Sequence, residues 1–300
     1  MTSLLQVMRN RALAVLMLGH FSNDMLAGVL PLLFPVMKVQ FALSNAQIGL
    51  VTLAFTAASS LTQPLFGYFS DTYGKRWFVP ATLIWGAVCA ASYGFVSSYI
   101  MFLVVAALAG IGSGAFHPLG ASNAAAVSRD DQRNAAMSWY TVAGAAGYGV
   151  GPLLGSVLVG VFGRMGTLGL LIPGFTAAAL IWPQMRLVER AREARAQAVK
   201  ALRTRPEWGA LGRVILVTMM RSWVFLSVLQ LSATWYSELG FGREIYAPLT
   251  AIIIFAGAAG TLFGGLMADR LGQRRVIISS LLLTIPWLLL YAAFPGPQGL

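Results

Sequence analysis

The chain has 300 residues, of which 57% are hydrophobic and 10% charged, with a mean hydropathy of +0.72 and a formal net charge of +11. A soluble domain needs roughly 25% charged residues to cover its surface, and a disordered chain lacks this much apolar side chain, so both classes are excluded. One cysteine, Cys89, sits inside an apolar run, which rules out a disulfide scaffold and leaves Cys89 a packing role. What remains is an all-α integral membrane protein.

A helix needs about 20 mostly apolar residues to cross the hydrocarbon core. Runs of that kind cover 12–37, 46–69, 77–97, 99–127, 134–162, 166–185, 210–237, 245–268 and 275–294, which predicts nine spans. The first run is too long for a signal-peptide core and has no small-residue cleavage site, so it stays a span. It holds His20-Phe-Ser-Asn23-Asp24. Ser44-Asn-Ala-Gln47 forms a capping box, which predicts a helix start just before the second run. The fourth run holds Phe116-His117-Pro118, and also Gly110-Ile-Gly112-Ser-Gly114. With no strand before them, those glycines are a helix-packing surface and not a dinucleotide loop. The fifth carries Gly144, Gly147, Gly149, Gly151-Pro152 and Gly155, and the seventh carries Arg221. Several runs contain proline, which membrane helices tolerate.

The basic residues orient the chain. With a cytoplasmic N-terminus, seventeen of the 21 Lys and Arg fall in inside segments and only Lys38, Arg164 and Arg243 fall outside, with Arg221 left within a span. This is the positive-inside bias. The basic charge is therefore topology, and no nucleic-acid partner is expected. Nine spans from an inside N-terminus put residue 300 on the outer side.

A repeat stands out after the second and eighth runs. Gly67, Asp71, Gly74 and Arg76 match Gly265, Asp269, Gly272 and Arg274 at one constant offset of 198 residues, with Arg270 beside the second acid. Two such loops, both predicted cytoplasmic, indicate an internal duplication. Glycines there permit tight turns, and each Asp is placed to meet a helix N-terminus or an arginine.

With these loops the sequence resembles the major facilitator superfamily, over essentially the whole chain. The resemblance implies a six-helix N-terminal bundle over 1–186, a cytoplasmic linker over 187–209, and over 210–300 the first three helices of a C-terminal bundle whose last three are absent. It also implies that the first, fourth and seventh helices line a central cavity.

The ionisable groups inside spans are costly, about 2.5–3.5 kcal/mol for an Asp or Arg near the centre, so each needs a reason. His20, Asn23, Asp24, His117 and Arg221 lie on those three helices. His20 and Asp24 are four apart, on one helix face. Histidine titrates near neutral pH and a buried carboxylate can hold or release a proton, so the set suits a proton relay beside a polar substrate cavity. The competing reading is a static buried pair of Asp24 with Arg221 or a histidine. No ligand spacing calls for a metal, and no cofactor is expected beyond the proton gradient.

His20-x-x-Asn23-Asp24 together with Phe116-His117-Pro118 resembles the fosmidomycin-resistance branch of the superfamily, bacterial inner-membrane exporters. The chain departs from that branch after the proline, where Leu119-Gly120 replaces a charged position, so substrate identity does not carry over. Gly147, Gly151-Pro152 and Gly155 resemble the family's antiporter motif, a hinge in the fifth helix. The resulting expectation is a monomeric, proton-coupled antiporter that exports a small molecule, in contact with membrane lipid. A proton symporter or anion exchanger taking up an acidic metabolite is the alternative. An enzyme is not expected: the only Gly-Lys, Gly74-Lys75, is followed by Arg76 and forms no phosphate loop, and no nucleophile–base spacing is present.

Overall fold

A computed structural model of the chain describes residues 9–73, 75–129, 133–199 and 207–294, and every regular element among them is helical. Helix α1 spans Arg11–Gln40, α2 Asn45–Tyr73, α3 Phe78–Ser92, α4 Tyr99–Val127 and α5 Arg133–Phe162. After it come α6 (Leu171–Ile181), α7 (Met185–Val199), α8 (Trp208–Glu238), α9 (Arg243–Leu271) and α10 (Gln273–Ala293). Each of the nine predicted runs is mostly helical. Seven segments among the described residues are long and apolar enough to cross a membrane, and one of them, Ala136–Ala194, takes in α5, α6 and part of α7 together. The protein is therefore multi-pass, while nine crossings stay an expectation.

The helix starts follow local chemistry. Ser44 and Gln47 cap α2 reciprocally, with Ser44 N donating to Gln47 Oε1 at 2.9 Å and Gln47 N donating to Ser44 Oγ at 3.2 Å. Asn10 caps α1 through Leu13 N at 3.2 Å, and its amide also donates to the Val127 carbonyl at 2.8 Å, tying the start of α1 to the end of α4. The sixth predicted span, read as one run over 166–185, differs. It is a 3₁₀ turn over Gly163–Leu170, the short α6, and a second 3₁₀ turn over Trp182–Gln184. Glycines at 163, 166 and 169 and a proline at 183 oppose a continuous α-helix there. The charged stretch after it is helical as α7, and Met185 and Val188 bury their side chains against the first bundle.

Small residues set the packing. α1 packs along α5 and α2 along α4. A Cβ at Gly147 would meet the Phe21 carbonyl oxygen at 2.0 Å, and one at Gly151 the Met25 carbonyl oxygen at 2.4 Å. In the second pair, Gly110 and Gly114 stand against the carbonyls of Phe55 and Ser59 in the same way, at 2.2 and 2.3 Å. Backbones meet backbones at both crossings, which is how membrane helices gain van der Waals contact where lipid supplies no hydrophobic drive.

Helices α8 and α9 join this bundle through α1 and α5. Leu32 of α1 shares a buried cluster with Ala233, Tyr236, Tyr246 and Ala247. At the same end Lys38 Nζ pairs with Glu238 and also donates to Asn45 Oδ1. Farther along α8, by contrast, positions 215–221 are all exposed. The two groups of helices meet at the Lys38 end.

Candidate functional site

His20, Asn23 and Asp24 project from one side of α1 toward α4 and α5. His20 Nε2 lies 3.2 Å from Asp24 Oδ2, and His117 Nε2 of α4 lies 3.8 Å from Asp24 Oδ1. Asn23 Nδ2 donates to Asp24 Oδ1 at 2.9 Å. His117 Nε2 also lies 3.4 Å from Ser113 Oγ, one helical turn earlier. The His20 ring stacks on Tyr140 of α5 with centroids 4.3 Å apart, and meets the His117 ring edge-on at 5.5 Å.

The orientation of His20 decides what the cluster can do. Its Nδ1 is 2.8 Å from the Tyr140 carbonyl oxygen, which only accepts, so Nδ1 carries a hydrogen and donates it. In a neutral imidazole the remaining nitrogen, Nε2, is then an acceptor, and it faces a carboxylate oxygen. Two acceptors at 3.2 Å repel unless a proton lies between them. The junction is filled either as imidazolium with carboxylate or as neutral imidazole with carboxylic acid. Either form holds one exchangeable proton inside the helix bundle. His20, Asp24 and His117 also offer one ligand atom each, all within 4.8 Å of one another, so the same set has the donors for a three-ligand cation site.

Room for this junction comes from α5. A Cβ at position 144 would fall 2.5 Å from His20 Nε2 and 2.6 Å from Asp24 Oδ2. Below it, Gly147, Gly151 and Gly155 continue the line of contact with α1, so the predicted hinge residues form the α1–α5 seam, with Pro152 inside the helix. From the sequence, Gly144 and the Gly110–Gly114 run that holds Ser113 are read as helix packing and not as part of the site, and Tyr140 is not singled out. Ser113 and His117 are four apart, and Gly144 begins the same helical series as Gly147, so spacing alone contained the signal for both. Nothing in the sequence points to the Tyr140 carbonyl.

The structure brings together four of the five residues expected in the cavity. Arg221 is the exception: it is exposed on α8 and pairs with no carboxylate among the described residues. The partner of Asp24 is therefore a histidine.

The loop repeat is described in part. Gly67 lies within α2, with Pro118 the nearest neighbour to its missing Cβ at 3.8 Å. Arg76 holds its guanidinium carbon 5.3 Å from the ring centroid of Trp182, and Arg192 of α7 donates to the Ser70 carbonyl at 2.6 Å. Gly272 has a φ of +87°, a left-handed turn between α9 and α10 that a side chain would strain, and Arg274 is exposed just after it. Gly74, and the side-chain surroundings of Asp71, Gly265, Asp269 and Arg270, lie outside the described residues.

The sequence profile of the Major Facilitator Superfamily matches residues 16–300. The chain belongs to that superfamily. Its function class is membrane transport and not catalysis. Among relatives, the fosmidomycin resistance protein of Escherichia coli (strain K12) is 27% identical over 285 residues, covering 93% of this chain and 70% of the relative. The transporter YfnC of Bacillus subtilis (strain 168) is 29% identical over 294 residues, covering 95% and 71%. This superfamily chain thus spans about 70% of the length of both. Among solved structures, a bacterial homologue of the human lysosomal transporter Spinster, inward-facing and occupied, superposes with a TM-score of 0.78 at 19% identity, covering 97% of this chain and 69% of its own. The human organic anion transporter MFSD10 superposes at 0.70 and 19% identity, covering 97% and 80%. These two establish the fold.

Proposed function

We propose that this superfamily member acts in proton-coupled antiport, exporting a small molecule across a bacterial inner membrane by alternating access, with its N-terminus cytoplasmic. The observation that carries this reading is the His20–Asp24 junction, where the Tyr140 carbonyl fixes the imidazole so that a proton must occupy the gap. His117 stands on the more open side of Asp24 and is the group through which that proton exchanges with the cavity. Export is supported by the E. coli relative, whose name states resistance to a drug. The meeting of helices at the Lys38 end, with α8 exposed beyond it, supports a state open toward the end that carries the two repeat loops. In this reading residues 1–186 and 210–300 rock as separate bodies about the linker, and Asp71 and Asp269 hold the opposite state closed.

Uptake by symport, or exchange of an acidic metabolite, is the second reading. The exposed Arg221 on α8 supports it, as a cation facing an open side of the helix group.

Inside-out vesicles with an acidic lumen separate the two, with fosmidomycin as the first probe. An antiporter draws protons out as the probe moves in, so the lumen turns alkaline on addition. Asp24→Asn keeps the size and hydrogen-bonding reach but cannot cycle charge, so it abolishes that response while leaving probe binding. Full coupled transport by Asp24→Asn would remove the junction from the mechanism, and lumen acidification in the wild type would reverse the direction.

A further inference from the structure

A groove of about 360 Å³ on the flank of the first bundle is lined by α2, α3 with its capping Trp77, and α4. Its origin lies in the packing. α2 sits on α4 through Gly110 and Gly114, whereas α3 packs on α4 and on α6, so α2 and α3 splay although they are consecutive. Phe66 and Phe69 form one wall, Trp77 and Trp85 the other, and Gly112 and Ala115 the floor. The Trp85 indole is held back against α4, because Gly112 leaves a notch for it and its Nε1–H donates to the Leu108 carbonyl at 2.8 Å. Thr82, the hydroxyl in the lining, is satisfied by the Val79 carbonyl at 2.8 Å. The slot therefore offers apolar contact and asks for no polar partner.

The chain just before Trp77 has the opposite character. Lys75 and Arg76 immediately precede Trp77 in the chain. Lys75 is exposed, Arg76 is braced on Trp182, and neither pairs with a carboxylate among the described residues. A long apolar slot whose lining Trp77 directly follows two cations in the chain is complementary to a molecule with an acyl chain at one end and an anionic phosphate at the other. We infer that this groove is a binding site for an anionic phospholipid of the surrounding bilayer, its chain between α2 and α3 and its phosphodiester on Lys75 and Arg76. Chain burial supplies affinity, and the two cations supply the choice of headgroup.

The test is native mass spectrometry of the detergent-purified chain, titrated separately with phosphatidylglycerol and with zwitterionic phosphatidylcholine of the same chains. Two cations at about 1 kcal/mol each near a membrane surface correspond to a preference of about 30-fold for phosphatidylglycerol. Lys75→Gln/Arg76→Gln is expected to erase that preference and leave phosphatidylcholine binding unchanged. Ala81→Phe, which fills the slot from a partly exposed position, is expected to weaken both lipids. Equal binding of the two lipids by the wild-type chain overturns the inference. So does a preference that survives the charge variant, or unchanged retention in a folded Ala81→Phe protein. The charge variant lies outside the packed helices, so the proposal remains decidable if the filled variant fails to fold.

Discussion

Gly144→Ala perturbs the His20–Asp24 junction without removing either group. The new Cβ would stand 2.5 Å from His20 Nε2 and must retreat by 0.9 Å to reach 3.4 Å (3.4 less 2.5). Taken by one side chain, a shift of that size carries the 3.2 Å contact toward 4 Å, beyond hydrogen-bond reach. A hydrogen bond to a charged group is worth about 1.5–3 kcal/mol, and overpacking costs about 1–3 kcal/mol. Side chains can rotate away at position 144, so the loss falls mainly on the junction. Gly147→Ala is the control: its Cβ would meet the Phe21 carbonyl oxygen at 2.0 Å, and no rotamer moves backbone, so α1 and α5 must part along their length. Scanning fluorimetry in detergent should therefore rank Gly147→Ala well below Gly144→Ala in melting temperature. Infrared difference spectra across the pH range should show a carboxyl band that Asp24→Asn deletes and Gly144→Ala shifts. Wild-type transport and an unshifted band in Gly144→Ala would refute the proton-holding geometry.

Four further outcomes are expected. His117→Gln, which removes the imidazole on the open side of Asp24, should flatten the pH dependence of transport while leaving the Asp24 carboxyl band in place; an unaltered pH profile would count against proton exchange through His117. Arg221→Gln should leave the melting temperature unchanged or raise it, because Arg221 pairs with no carboxylate among the described residues and a charge within a span is costly; a large fall in melting temperature would reveal a buried partner. Glu238→Gln should loosen the Lys38 end by the modest worth of an exposed ion pair, about 0.2–1 kcal/mol, measured as faster maleimide labelling of Ser237→Cys in a Cys89→Ser background; unchanged labelling would deny the pair a latch role. A reporter active only in the cytoplasm should stay silent when fused at Leu300, and activity there would mean that a span has been miscounted.

The sequence by itself determined the class of the protein and much of its local structure. Long apolar runs bring helices because a backbone in lipid must satisfy its own polar groups. The Ser44–Gln47 box set the start of α2, since caps act within one turn. The spacing of His20 and Asp24 put both on one face of α1, and the loop repeat pointed to the superfamily. The broken sixth helix escaped the hydropathy reading, which counts apolar side chains and ignores how glycines at 163, 166 and 169 bend a backbone. Tertiary structure alone decided which groups meet. It brought His117 from α4 to the other oxygen of Asp24, left Arg221 apart, and used a main-chain carbonyl at Tyr140 to orient His20. Such contacts depend on how closely α1 and α5 approach, which the glycines permit but do not announce. Only the packing of α2 and α3 on α4 opened the groove beside Lys75 and Arg76, because a gap between consecutive helices is set by what each of them packs against.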